Sequence, residues 1–158
     1  MSQRTVLFKG KPVPLEGPEI IIGSKAPDFR VLDDGLNTVT LGSSSGKVRL
    51  IAAVPSLDTQ VCEMETRRFN QEAAKLPDKV ALLAISMDLP FAQKRFCATH
   101  GIDRVRTLSD HREASFGKAY GVLMPDFRLL ARSIFIVDDQ DVVRYVEIVP
   151  EVTTHPDY

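Results

Sequence analysis

Sulfur is scarce in this chain. Its 158 residues include two cysteines, Cys62 and Cys97, and three histidines. Two cysteines in a chain this long are not a structural disulfide framework, and no Cys-x-x-Cys pair is present. His100, His111 and His155 are scattered, so no metal site is expected. Excess charge of one sign is also missing. The formal net charge is -1 at pH 7, which gives no basic field for nucleic acid or an anionic membrane. Apolar runs are short, with Val80 to Ile85 the longest, so nothing is expected to span a bilayer. Near the N-terminus only Val6, Leu7 and Phe8 are adjacent apolar residues, too few for a secretory signal. A cytoplasmic location is therefore expected. In a reducing compartment the two cysteines are free, metal-bound or catalytic.

What is present suits one globular domain over residues 1–158, with 44% hydrophobic and 26% charged residues. Thr5 to Phe8 and Val13 to Leu15 flank a Gly-Lys-Pro turn and predict a small N-terminal β-hairpin. Short extended pieces are expected at Phe29 to Leu32 and Thr38 to Leu41. Val48 to Val54 and Val80 to Ser86 are apolar without alternation, as in strands covered on both faces. Helices are expected over Val61 to Leu76, Leu89 to His100 and Glu113 to Tyr120, with Asp88 as a cap and Gly101 as a stop for the second. Val105 to Leu108, Ser133 to Val137 and Val142 to Ile148 complete the strands. Strand–helix–strand–helix followed by a closing hairpin predicts an α/β sandwich with a mixed sheet.

That order places Pro55 to Gln60 at the carboxyl end of a central strand, where α/β sites gather. Cys62 then falls in or near the first turn of a helix. Unpaired N–H groups and the helix dipole favour a thiolate there. A thiol of pKa about 8.5 is roughly 3% ionised at pH 7, and a shift to about 6 gives a gain of roughly thirtyfold. Lower basicity also lowers nucleophilicity, so ionisation alone does not make a fast nucleophilic reaction. Groups that hold the reacting atoms must supply the rest. The Thr59 hydroxyl is one candidate. A guanidinium is the other, with Arg67, Arg68 and Arg132 available. Glu63 and Glu65 oppose the thiolate electrostatically, although acids suit a helix start.

Pro55, Thr59 and Cys62 match the Pro-x-x-x-Thr/Ser-x-x-Cys motif, and on them the chain resembles a peroxiredoxin. Three further strings resemble the bacterial thiol peroxidase subfamily. They are Asp88-Leu-Pro-Phe-Ala-Gln-Lys-Arg-Phe-Cys97, Ala131-Arg-Ser-Ile-Phe-Ile-Val-Asp138 and Val152-Thr-Thr-His-Pro-Asp-Tyr158. The resemblance implies a thioredoxin fold with an N-terminal β-hairpin. It implies a peroxidatic Cys62, a resolving Cys97 on the second helix of the same subunit, an active-site Arg132, a peroxide-holding Thr59 and a Pro55 that shields the sulfur. It further implies a hydroperoxide substrate, reduction by thioredoxin, a homodimer and no cofactor. Relatives of that subfamily continue beyond the Pro-Asp-Tyr string into a C-terminal helix.

Plainer roles remain open for several residues. Cys97, beside Phe96, also suits a buried helix position, and Thr59 a helix cap. Arg67, Arg68 and Arg95 suit solvated faces. Phe91, Phe96 and Phe116 suit a core or dimer contact. A thioredoxin-like oxidoreductase is disfavoured by the missing Cys-x-x-Cys. A peroxide-sensing or chaperone-like module on the same fold stays as an alternative.

Overall fold

The computed structural model describes residues 4–57, 60–73, 80–102 and 104–151, without the side chains of residues 60–63, 69, 72 and 73. The two apolar runs become neighbouring strands. Strand β5 (Val48–Ala53) pairs in parallel with β6 (Val80–Ser86), Val48 facing Val80 and Ala53 facing Ile85. Parallel strands need a crossover, and α1 (Gln60–Ala73) supplies it. Helix α2 (Pro90–His100) leads in the same way from β6 to β7 (Arg106–Ser109), again parallel.

Antiparallel strands extend the sheet on both sides. β10 (Ser133–Val137) pairs with β5, and β11 (Val143–Ile148) pairs with β10. On the far side β3 (Arg30–Leu32) meets β7 at Leu32–Ser109, and β4 (Thr38–Thr40) pairs with β3. The order is β11-β10-β5-β6-β7-β3-β4. The N-terminal hairpin, β1 (Thr5–Phe8) with β2 (Lys11–Pro14), stands outside this sheet. The ribbon of β8 (Leu123–Met124) and β9 (Leu129–Leu130) has no counterpart in the predicted elements, because strands of two residues carry no readable period.

Helix α3 (Ser115–Ala119) is shorter than the predicted Glu113 to Tyr120. Ala114 lies at φ 51, in the left-handed region, and breaks the helix before Ser115. The buried Asp110 carboxylate accepts the Phe116 and Gly117 amides (3.0 and 2.8 Å), doing the work of a cap from outside the helix. Burial and the loss of hydration push Asp110 up to about 6.

The two faces of the sheet carry separate cores. One centres on Phe29, Phe116, Tyr120 and Phe135, with rings packed edge-on and stacked. The other holds Val54, Leu57, Leu82, Ala84, Phe96, Ile102 and Val105, with Cys97 against it. Phe96 and Phe116 are thus core residues, whereas Phe91 is 67% exposed. Among the described residues no helix is long and apolar enough to cross a membrane.

Candidate active site

The chain leaves β5 at Val54, whose N–H donates to Ile85 O (2.9 Å) and prolongs the ladder by one bond. Pro55 and Leu57 are buried. α1 begins at Gln60, which makes Cys62 its third residue, within the turn whose amides have no partner inside the helix. The Cys62 side chain and all of Thr59 lie outside the described residues.

Arg132 lies at the same end of the sheet. Ser133 pairs with Ala53 across β10 and β5, so Arg132 stands beside the exit of β5. It is not a surface charge. It is 2% exposed, and its Nη1 donates to Glu65 Oε1 at 2.5 Å. Glu65 follows Cys62 by three residues, so the two lie on one face of α1. The ion pair therefore fixes a guanidinium next to the helix turn that carries Cys62.

Sequence reasoning set Glu65 against the thiolate; the fold pairs it with Arg132 instead. Glu65 is fully buried, and its Oε2 has no hydrogen-bond partner among the described residues. Loss of hydration raises its carboxyl to about 7, the Arg132 charge and hydrogen bond pull it down, and Glu147 adds to the rise. Arg67 and Arg68 are exposed.

Cys97 lies in the last turn of α2. Its carbonyl accepts the amides of Gly101 and Ile102, and Gly101 at φ 66 ends the helix as expected. The side chain is half-buried, with Sγ 3.5 Å from Thr107 Oγ1. It opens on a cavity of about 320 Å³ lined by Asp33, Asp34, Arg104, Arg106 and Thr107. Burial pushes the thiol pKa up; the Thr107 hydrogen bond pulls it down and Asp34 adds to the rise. In this conformation Cys97 is held as a neutral thiol, a poor nucleophile.

Asp88 does not cap α2. Leu89 occupies that position, and the helix start has no side-chain cap. Pro90 needs none for its own nitrogen, since it carries no N–H. The Asp88 carboxylate turns instead to the loop ahead of α1, accepting the Ser56 hydroxyl (2.7 Å) and the Leu57 amide (2.8 Å). It also accepts the Ser86 hydroxyl (2.8 Å). Gln93, fully buried, donates to Ser86 Oγ (3.0 Å) and to Leu108 O (2.8 Å). The sequence carries a signal for this: Ser86 and Asp88 are polar residues at the end of an apolar strand, and Gln93 is a polar residue in the first turn of the helix that follows. Among the described residues no cluster of His, Cys, Asp and Glu is fit to hold a metal.

The comparisons agree with this architecture. The Redoxin family model matches residues 21–158. A thiol peroxidase of Halalkalibacterium halodurans is 57% identical over 154 residues, covering 98% of this chain and 92% of its own length. A peroxiredoxin-like protein from Aquifex aeolicus superposes with TM-score 0.92 at 45% identity, covering 98% of this chain and 91% of that one. The thiol peroxidase from Chromobacterium violaceum gives 0.88 at 25% identity, covering 99% and 91%. The fold is thus the thioredoxin fold of the peroxiredoxins, with the predicted N-terminal hairpin. The chain belongs to the Redoxin family and, within it, to the bacterial thiol peroxidases.

Proposed function

We propose that the chain reduces hydroperoxides through Cys62, with Cys97 as the resolving thiol. Thiol-dependent peroxide reduction is the activity of its relatives by name, and the high identity extends over nearly the whole chain. The observation that supports the reading is the buried Arg132 paired with Glu65, which follows Cys62 by three residues in α1; in this reading the guanidinium stabilises the thiolate and the charge that leaves.

The Cys62 thiolate attacks one peroxide oxygen. An S–O bond forms, the O–O bond breaks, and the distal oxygen takes a proton and leaves as water or alcohol. Sulfur has lost two electrons and is a sulfenic acid. Arg132 stabilises the developing oxyanion, Thr59 holds the peroxide by its hydroxyl, and Pro55 keeps water from the sulfur. Cys97 then attacks the sulfenic sulfur; an S–S bond forms, the S–O bond breaks and water leaves. An external dithiol, thioredoxin in this reading, returns two electrons by exchange. Because Cys97 is engaged with Thr107 and capped through its carbonyl, the last turn of α2 has to open before it attacks. The setting is the cytoplasm, and the working form a homodimer.

Stopped-flow peroxide consumption tests this. Cys62→Ser is expected to lower the rate by more than about 10³-fold. Cys97→Ser is expected to complete one turnover and then stall or over-oxidise. Normal recycling by Cys97→Ser would remove the resolving role.

A further inference from the structure

One well-connected polar group at the end of the sheet is not used by this cycle. Asp88 ties together three segments. Its Oδ1 accepts from Ser56 and its Oδ2 from the Leu57 amide and Ser86, while its own carbonyl accepts the Ser109 hydroxyl at 2.5 Å. Ser56 and Leu57 lie four and three residues ahead of the first residue of α1, the Cys62 helix. Asp88 itself lies two residues ahead of α2, the Cys97 helix. Ser86 and Ser109 end the parallel strands β6 and β7. One carboxylate thus fastens the approach to both cysteine helices to the rigid end of the sheet.

We propose that Asp88 is a positioning residue that sets the partition of oxidised Cys62 between disulfide and over-oxidation. The proposal rests on the assignment of Cys62 and Cys97 given above. Two consequences follow from one tether. While it holds, Ser56 and Leu57 are fixed ahead of α1, which on this proposal keeps the attack on peroxide in a constant geometry. Small displacements of a reacting atom are costly in rate. The same tether restrains the start of both helices, and disulfide formation requires them to part locally. Fast attack on peroxide and slow release toward Cys97 are therefore linked through Asp88. The second peroxide, which converts the sulfenic acid to sulfinic acid with release of water or alcohol, gains time from that restraint.

The relevant readout is the ratio of disulfide to sulfinic acid formed per turnover, taken on protein whose folded state is checked by circular dichroism. It is obtained by mass spectrometry over a series of hydrogen peroxide concentrations, beside the stopped-flow rate of the first oxidation. Asp88→Ala is expected to lower the first rate by about tenfold and to shift the ratio toward disulfide. Asp88→Asn keeps an acceptor for the Leu57 amide and the Ser86 hydroxyl, and the Ser56 hydroxyl can turn to meet its NH₂, so it is expected to restore most of both. Ser56→Ala, a milder variant should Asp88→Ala fold poorly, is expected to move both quantities in the same direction by less. A ratio unchanged from wild type in Asp88→Ala, or in Ser56→Ala where the former does not fold, overturns the proposal. If the protein with Asp88 intact forms no Cys62–Cys97 disulfide, the assignment beneath the proposal fails, and the proposal with it.

Discussion

The chain buries two arginines completely, at opposite ends of the same sheet, and surrounds them differently. Arg49, at the start of β5, gives Nη1 to the carbonyls of Lys47 and Asp138 (2.7 and 2.9 Å) and Nη2 to the Asp141 carboxylate. Asp141 is 36% exposed, so its charge stays partly hydrated. Arg132, at the exit of β5, faces Glu65, which has no exposure at all and keeps one oxygen without a partner among the described residues. The first arrangement closes a strand end against the β10–β11 turn. The second holds a carboxylate under strain of desolvation, an arrangement that stability alone does not favour. Such departures gather where a site needs a fixed charge.

The contrast can be broken by making the same change at both arginines. Arg132→Lys keeps the charge but loses the fork of donors. It is expected to lower kcat/KM for peroxide by about 10²-fold with the fold retained. Arg49→Lys is expected to leave the rate per folded molecule unchanged and to lower unfolding free energy by about 2 kcal/mol. Peroxide kinetics and denaturant midpoints measured on both variants check the pair; equal loss of activity at the two sites would erase the distinction.

A smaller effect sharpens it. Glu65 has a folded pKa of about 7 against 4.5 for the free group, so the folded protein binds this proton more tightly than the unfolded chain. Its contribution to stability is full below about 4.5 and is lost as pH rises through about 7. Asp138, beside Arg49, behaves oppositely. The Val142 amide and the Arg144 side chain hold its pKa below 3.8, so its contribution is present above 3.8 and is lost as pH falls through the lowered pKa. Glu65→Gln is expected to flatten the fall in stability between pH 4.5 and 7, and Asp138→Asn to flatten only the acid side. Denaturant titrations at stepped pH read both slopes.

Most elements were legible in the chain itself. Apolar runs without alternation marked β5, Arg49 apart, and β6, and the Gly101 stop marked the end of α2 at the residue where φ turns positive. The boundaries of α3 were not legible, because its cap comes from Asp110 rather than from the residue before the helix. Cys62 and Pro55 were placed by the strand-to-helix order and by motif, and both fall at that turn. Arg132 was placed by resemblance, with no local pattern to distinguish it from a surface charge. Glu65 and Asp88 were read as helix-start acids, the ordinary local role for such residues.

The sequence by itself determined the residue types, the order of strands and helices and hence the end of the sheet at which the cysteine turn emerges. Those are consequences of neighbours within a few positions. Only the tertiary structure decided what Arg132 and Asp88 hold. Their partners lie 67, 31 and 32 residues away, brought together by parallel pairing and crossovers. No pattern of propensity or period encodes which two distant polar groups will share a water-excluded space; packing the sheet between its helices does.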